Sequence, residues 1–283
     1  MDFRTPIKIE QAPFRIEPGQ RILCVGSCFA SNIGKRFEDA LFPTTVNPYG
    51  VMYNPASILH TVERLTPHIP PLERPAEVAI LTLGTNHVYV LKETGEIVDN
   101  CQKRPAALFE ERELSVETCA DYLEKAVALL WQRNPQTNII LTVSPIRYQK
   151  YGFHGSQLSK ATLLLAVDRL LTSHASLSGN EGTLAYFPAY EIMNDELRDY
   201  RFYAPDMLHP SEQAVDYIWQ QFADTFFSAA AKQYLCEWEP IRQALAHHPF
   251  DEQSAAYQAF RSQTLQRLDD FKKKYRLKNG KSV

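Results

Sequence analysis

Arg21-Ile22-Leu23-Cys24-Val25-Gly26-Ser27-Cys28-Phe29-Ala30 is an apolar run that breaks at a glycine and resumes at once with apolar residues. Ser31-Asn32-Ile33-Gly34-Lys35-Arg36-Phe37 continues it at helical spacing. An apolar strand that ends at Gly and restarts as a helix leaves its turn residues at the carboxyl edge of a sheet. In open α/β sheets that edge is where ligands bind. Ser27 then stands at a helix N-terminus, where free N–H groups and the helix dipole favour negative charge. Such a setting suits a nucleophilic hydroxyl, because attack on a carbonyl creates an oxyanion beside it. It suits a simple helix cap equally well.

Outward from this segment, residues 1–20 carry Pro6, Pro13 and Pro18 and read as an extended lead-in. The first strand is predicted over 21–26 and the helix over 29–41, stopped by Pro43. A turn-rich loop (Asn47-Pro48-Tyr49-Gly50, then Tyr53-Asn54-Pro55) leads into a short helix over 56–65, closed by Pro67, Pro70, Pro71 and Pro75. Residues 77–83 form a buried strand that breaks at Gly84, and 87–91 with 96–98 form a hairpin around Glu93-Thr94-Gly95. A helix over 115–133, a strand over 138–144, a helix over 156–172, a strand over 183–188 and a helix over 211–230 complete the alternation. Strands alternating with long helices predict an α/β fold, a three-layer α/β/α sandwich with a mainly parallel sheet.

From about Trp238 the pattern changes. Residues 240–247 and 251–275 read as two helices with no strand between them, the second with an apolar stripe of Tyr257, Phe260, Leu265, Leu268 and Phe271. The expected division is therefore a domain over 1–235 and a C-terminal helical extension over 236–283. The extension would pack on the domain or pair with a second copy in a homodimer.

Composition narrows the function classes. A net charge of −3 across 283 residues gives no electrostatic case for nucleic acid, and the basic run 272–276 suits a helix terminus. No apolar run approaches a membrane span. Met1-Asp2-Phe3-Arg4-Thr5-Pro6 lacks the pattern of a secretory signal, so a cytoplasmic protein is expected. Five cysteines with no CxxC spacing argue against a disulfide framework and a zinc site.

Three regions hold polar residues where a strand or its connection ends: Ser27, Asn86 in Gly84-Thr85-Asn86-His87, and Pro205-Asp206-Met207-Leu208-His209-Pro210. Asp206 and His209 are spaced so that one tight turn places both on the same side. A hydroxyl nucleophile needs a base, and the base an orienting carboxylate, so Ser27, His209 and Asp206 form a candidate triad.

On the pentapeptide at 26–30 and these motifs, the chain resembles the GSCFA-domain family, related to the SGNH (GDSL-type) esterases and acylhydrolases. The resemblance implies an SGNH, flavodoxin-like core and no cofactor or metal. It implies Ser27 as nucleophile, His209 as general base and Asp206 as orienting acid. The oxyanion hole would comprise Ser27, Gly50 and Asn86. Two departures stand out: Val25-Gly26-Ser27 has no acid before the serine, where GDSL-type enzymes usually carry Gly-Asp-Ser, and His87 replaces the Asp of Gly-x-Asn-Asp.

Each residue also has a structural alternative. Gly50 suits a turn, Asn86 a loop backbone, and His87 packing over the site. Cys28 is expected to be buried against the first helix. His87, Arg147 and His154 are candidate substrate contacts, the last within the Gly- and aromatic-rich stretch 148–155. Arg147 would otherwise pair with a carboxylate. The charged run 191–201 reads as a solvated helix face or a lid. Two functions follow: a serine esterase on a small-molecule or carbohydrate ester, such as an O-acetylated sugar, or a non-catalytic module holding an acylated or glycan ligand.

Overall fold

The computed structural model describes residues 4–65, 74–175 and 182–277. Chain order is β1 (Ile22–Gly26), α1 (Cys28–Asp39), β2 (Thr44–Val46), α2 (Pro55–Arg64), β3 (Val78–Leu83), β4 (His87–Leu91), β5 (Ile97–Val98), β6 (Phe109–Glu113), α3 (Val116–Arg133), β7 (Asn138–Val143), α4 (Gly152–His174), β8 (Leu184–Tyr186), α5 (Ala189–Glu191), α6 (Glu212–Phe226), α7 (Ala229–Leu245) and α8 (Ala255–Lys274). The stops assigned to Pro67, Pro70 and Pro71 lie outside the described residues, as does the tripeptide 1–3.

The strands β2-β1-β3-β7-β8 make one parallel sheet. Alternation along its strands explains why both faces are covered. Ile22, Cys24, Val78, Ile80 and Ile140 face α1 and α6. Leu23, Val25, Ala79, Leu81, Ile139, Leu141 and Val143 face α2, α3 and α4. Strands apolar at every position must be sandwiched between helices, and that is the predicted three-layer α/β/α architecture. The chain runs outward from β1 to β2 and then returns to β3 on the opposite side of β1. The carboxyl ends of β1 and β3 therefore flank the point where strand order reverses, the usual location of a binding crevice.

Serines and asparagine start the main helices. Ser27, Asn54, Ser115, Ser211, Ser228 and Ser254 each accept a backbone N–H of the first turn.

Four elements differ from expectation. The stretch after Pro43 contains β2, a short edge strand that pairs only with β1. The hairpin gains a third strand, β6, whose Phe-Glu-Glu-Arg-Glu sequence is nearly all exposed and carries no apolar period. Helix α4 begins at Gly152, so 152–155 is helix and not loop. Helix α7 runs through Pro240, anchored on either side by buried Trp238 and Ile241. The charged run 191–201 is also less solvated than its composition implies, since Ile192, Met193 and Glu196 are buried.

Helices α7 and α8 pack on the domain through the end of α1. The Tyr234 hydroxyl donates to Ala40 O (2.7 Å) and the Trp238 indole to Asp39 O (2.7 Å). These are carbonyls that a helix terminus leaves without intrahelical partners. Phe271 of α8 packs on Tyr234 and Trp238, with ring centroids at 4.9 and 5.4 Å.

Phe271→Ala is expected to lower stability by about 3 kcal/mol, as for a buried aromatic truncated in a core. Leu265→Ala, on the outer face of α8, should stay within about 0.5 kcal/mol of the parent. Urea unfolding of the two variants checks this.

Candidate active site

Gly26 makes the turn. Its φ is +139°, and a Cβ there would lie 2.0 Å from Thr82 O, so neither the conformation nor the space admits a side chain. The next peptide is pressed onto β3. Ser27 N–H donates to Thr82 O (3.2 Å) and to Thr82 Oγ1 (3.0 Å), and the Ser27 hydroxyl lies 3.2 Å from the same Oγ1. Phe29 N–H donates to Ser27 Oγ at 3.3 Å. Asn47 secures the turn from the other side, with Oδ1 accepting Gly26 N–H (2.9 Å) and Nδ2 donating to Ser31 Oγ (3.0 Å).

Asp206 and His209 come together as their spacing implied. Asp206 Oδ1 accepts the N–H groups of Leu208 (2.9 Å) and His209 (3.0 Å), while Oδ2 accepts His209 Nδ1–H at 2.5 Å. The two backbone donors, with the imidazole, hold the carboxyl at about 2, so it is an anion throughout the neutral range. With Nδ1 committed, Nε2 is the nitrogen left for a reacting group. Among the described residues no hydrogen bond joins His209 to Ser27.

Arg147 ties this turn to the sheet. Its N–H donates to Leu208 O (3.0 Å) and its Nη1 to Met207 O (3.1 Å), while the guanidinium lies 4.2 Å from the ring of Phe153 and 5.5 Å from that of Tyr203. Arg147 follows the end of β7, so the Asp206–His209 turn sits at the same carboxyl edge as Ser27. The expected pairing of Arg147 with a carboxylate is not what forms. Backbone carbonyls and aromatic faces take its place, because the turn presents Met207 O and Leu208 O to it.

The remaining predicted residues are placed as follows. Gly50 has φ +97°, is exposed, and donates its N–H to Asn47 O (2.8 Å), which closes a turn. That N–H would have to leave Asn47 O to serve the expected oxyanion role. Asn86 is buried; its Nδ2 donates to Leu114 O (2.8 Å), its N–H to Ser159 Oγ (3.0 Å), and its Oδ1 meets no hydrogen-bond partner among the described residues. His87 is buried and stacked on Tyr151 at 3.5 Å, so it packs as its structural alternative proposed. Desolvation holds its imidazole below the usual histidine range, against the opposing pull of Glu113 and Glu111. His154 is exposed on the first turn of α4.

Cys28 is half-buried, with its thiol 3.8 Å from the Tyr53 hydroxyl, and not packed away against α1 as expected. Tyr53 meets Tyr148 edge-on at 6.1 Å, and Tyr148 stacks on Tyr151 at 5.8 Å. A continuous aromatic row thus runs from Cys28, beside Ser27, to His87. Thr82 and Asn47 were not singled out from the sequence. A lone hydroxyl in the apolar strand Val78–Leu83 is the signal that could have found Thr82. Two surface cavities, of about 630 Å³ beside Arg36 and Trp219 and about 640 Å³ beside His60 and Tyr122, contain none of these residues.

Among the described residues no three His, Cys, Asp or Glu side chains converge as metal ligands, and no helix is long and apolar enough to cross a membrane.

Fold and site define an α/β protein with a capped serine at the reversal point of its sheet and an Asp–His turn at the same edge. The chain belongs to the GSCFA family, whose model matches residues 21–74 and 72–222. Residues 238–280 match a second model, described as the C-terminal domain of GSCFA domain proteins. No curated protein matches the sequence. Similar solved structures include an acetyl esterase mutant with acetate ion (10% identity, 77% of this chain, 97% of that one, TM-score 0.43). Others are a carbohydrate esterase family 3 protein from Talaromyces cellulolyticus (9%, 72%, 95%, 0.41) and a carbohydrate esterase family 2 enzyme with a carbohydrate binding domain from Corynascus thermopiles (13%, 80%, 68%, 0.44).

Two outcomes are expected. Arg147→Ala removes one hydrogen bond and the ring contacts, about 1–2 kcal/mol together; a downfield His209 Nδ1 proton is expected in the NMR spectrum of the parent, and in the variant it should broaden or vanish. The second concerns pH. An unfolded His87 takes up a proton near pH 6.5 whereas the folded one resists, so stability is full above that pH and is lost as pH falls toward the depressed folded value. His87→Phe keeps the stack without the titration, so its Tm should fall less than the parent's between pH 7 and pH 5.

Proposed function

We propose that the protein is a serine hydrolase that transfers an acyl group from an ester to water, with Ser27 as nucleophile, His209 as general base and Asp206 as the acid that orients it. The observation that carries this reading is the Asp206–His209 pair, bonded at 2.5 Å in a turn that Arg147 fastens to the carboxyl edge of the sheet. His209 Nε2 would take the proton as Ser27 attacks, then return it to the leaving alcohol; water repeats the sequence to release the acid. The developing oxyanion would draw on the Ser27 N–H, released from Thr82, and on the second N–H of the Asn86 amide. The side chain of Ser27 has to turn away from Thr82 for attack, a rotation about one bond.

As substrate class we infer an acylated carbohydrate, on the strength of the Tyr53, Tyr148 and Tyr151 rings beside the serine and the esterase resemblance. Flat aromatic faces with polar tips suit a sugar ring. The second reading, a non-catalytic module for an acylated or glycan ligand, is favoured by one observation: Ser27 is only 1% exposed and its N–H is paired with Thr82.

Hydrolysis of p-nitrophenyl acetate and labelling by a fluorophosphonate separate the two. The hydrolase reading expects labelling of the parent and a loss of about 10³-fold or more in Ser27→Ala. Unchanged turnover in Ser27→Ala, or an unlabelled parent that still binds acetylated sugars, selects the binding module.

A further inference from the structure

Lys160 is buried, 2% exposed, on the first turns of α4. Its ammonium donates to Gly84 O (2.7 Å) and Ser144 O (2.8 Å), the carbonyls that follow β3 and β7. Among the described residues no carboxylate pairs with it; the nearest aromatic face is Tyr190, at 5.8 Å. Burial pushes the ammonium down to about 7, with no opposing charge to hold it up. An unpaired buried charge costs several kcal/mol, so hydrophobic packing alone would favour methionine at this position.

The surroundings of those two carbonyls give the charge a use. Gly84 lies against the nucleophile, where a Cβ would come within 3.4 Å of Ser27 Cβ and 2.9 Å of Tyr53 O. The next two residues are held by the neighbour of Lys160, since Ser159 Oγ meets Thr85 Oγ1 at 3.0 Å and accepts Asn86 N–H at 3.0 Å. One turn earlier, Ser156 Oγ accepts Tyr148 N–H at 3.1 Å. One helical end thus grips the turn after β3, which lies against Ser27, and the turn after β7 beside it, and Lys160 is the member of the set that reaches both strand ends at once.

We propose that Lys160 is a positioning residue: it clamps the ends of β3 and β7 together and so fixes the Gly84-Thr85-Asn86 turn against Ser27. Its effect on turnover rests on the hydrolase reading, whereas its effect on the two turns does not. Removing the ammonium leaves Gly84 O and Ser144 O unpaired in the interior and frees the Asn86 amide to drift from the reacting carbonyl. Such a drift lowers kcat with little change in KM, because it weakens contacts made only in the transition state.

The test is amide hydrogen exchange by mass spectrometry on the full chain, parent against Lys160→Met, together with p-nitrophenyl acetate kinetics. Exchange in peptides spanning 83–88 and 143–149 is expected to rise by about tenfold or more, with α7 peptides within about twofold of the parent. Kinetically, kcat is expected to fall about tenfold or more with KM within about threefold. Unchanged exchange at both turns overturns the clamp, whether or not the protein hydrolyses esters, and so does a uniform rise across the chain. An unchanged kcat in an active protein overturns the role in turnover. A parent that neither hydrolyses nor labels rejects the hydrolase reading, and the exchange measurement still judges the clamp. Should Lys160→Met not fold, Lys160→Gln, which can reach only one of the two carbonyls, is read by the same criteria.

Discussion

The contact between Gly26 and Thr82 is the constraint on which the rest of the site depends. In the parallel register Gly26 stands opposite Thr82, and the two backbones approach so closely that a β-carbon has no room. This closeness lets Ser27 donate to Thr82 and turn the chain directly into α1, with the serine at the helix N-terminus. A wider turn would move the serine off the strand-order reversal and away from Gly84.

Around that contact the carboxyl edge is held mainly by single side chains acting across the fold. Asn47 ties the Gly26 turn to α1, Lys160 and Ser159 hold the turn after β3, and Arg147 holds the Asp206–His209 turn. Each of these side chains bonds to backbone. Backbone anchoring fixes where the reactive side chains begin and leaves their rotamers free. The Ser27 hydroxyl can therefore leave Thr82 Oγ1 for a substrate by rotating about one bond, without disturbing the frame.

Much of this frame could be read along the chain, and specific residues explain what could not. The central strands declared themselves through unbroken apolar runs, and Asp206–His209 through a spacing that one turn can close. The strand Phe109–Glu113 stayed hidden because an edge strand with exposed charges has no period to detect. Arg147 suggested a carboxylate partner by its charge, yet besides nearby Phe153 it meets two carbonyls and the rings of Tyr200 and Tyr203, whose positions come from a part of the chain about 50 or more places away. Lys160 reads as a solvated helix residue, since most lysines are, and only the packing of α4 against two strand ends buries it.

Local chemistry was thus settled by the sequence itself. Glycine at 26 permits the turn, serine at 27 caps the helix after it, and alternating apolar strands and helices dictate a sheet covered on both faces. Those choices depend on near neighbours and on a period, which a linear chain contains. Which donors stand free at Ser27 was settled only by the tertiary structure: Gly50 N–H closes its own turn, Asn86 is drawn to Leu114, and Thr82 occupies the serine. The reason is that a polar group near other polar groups takes whichever partner the packing brings closest. The chain order of those groups does not contain that distance.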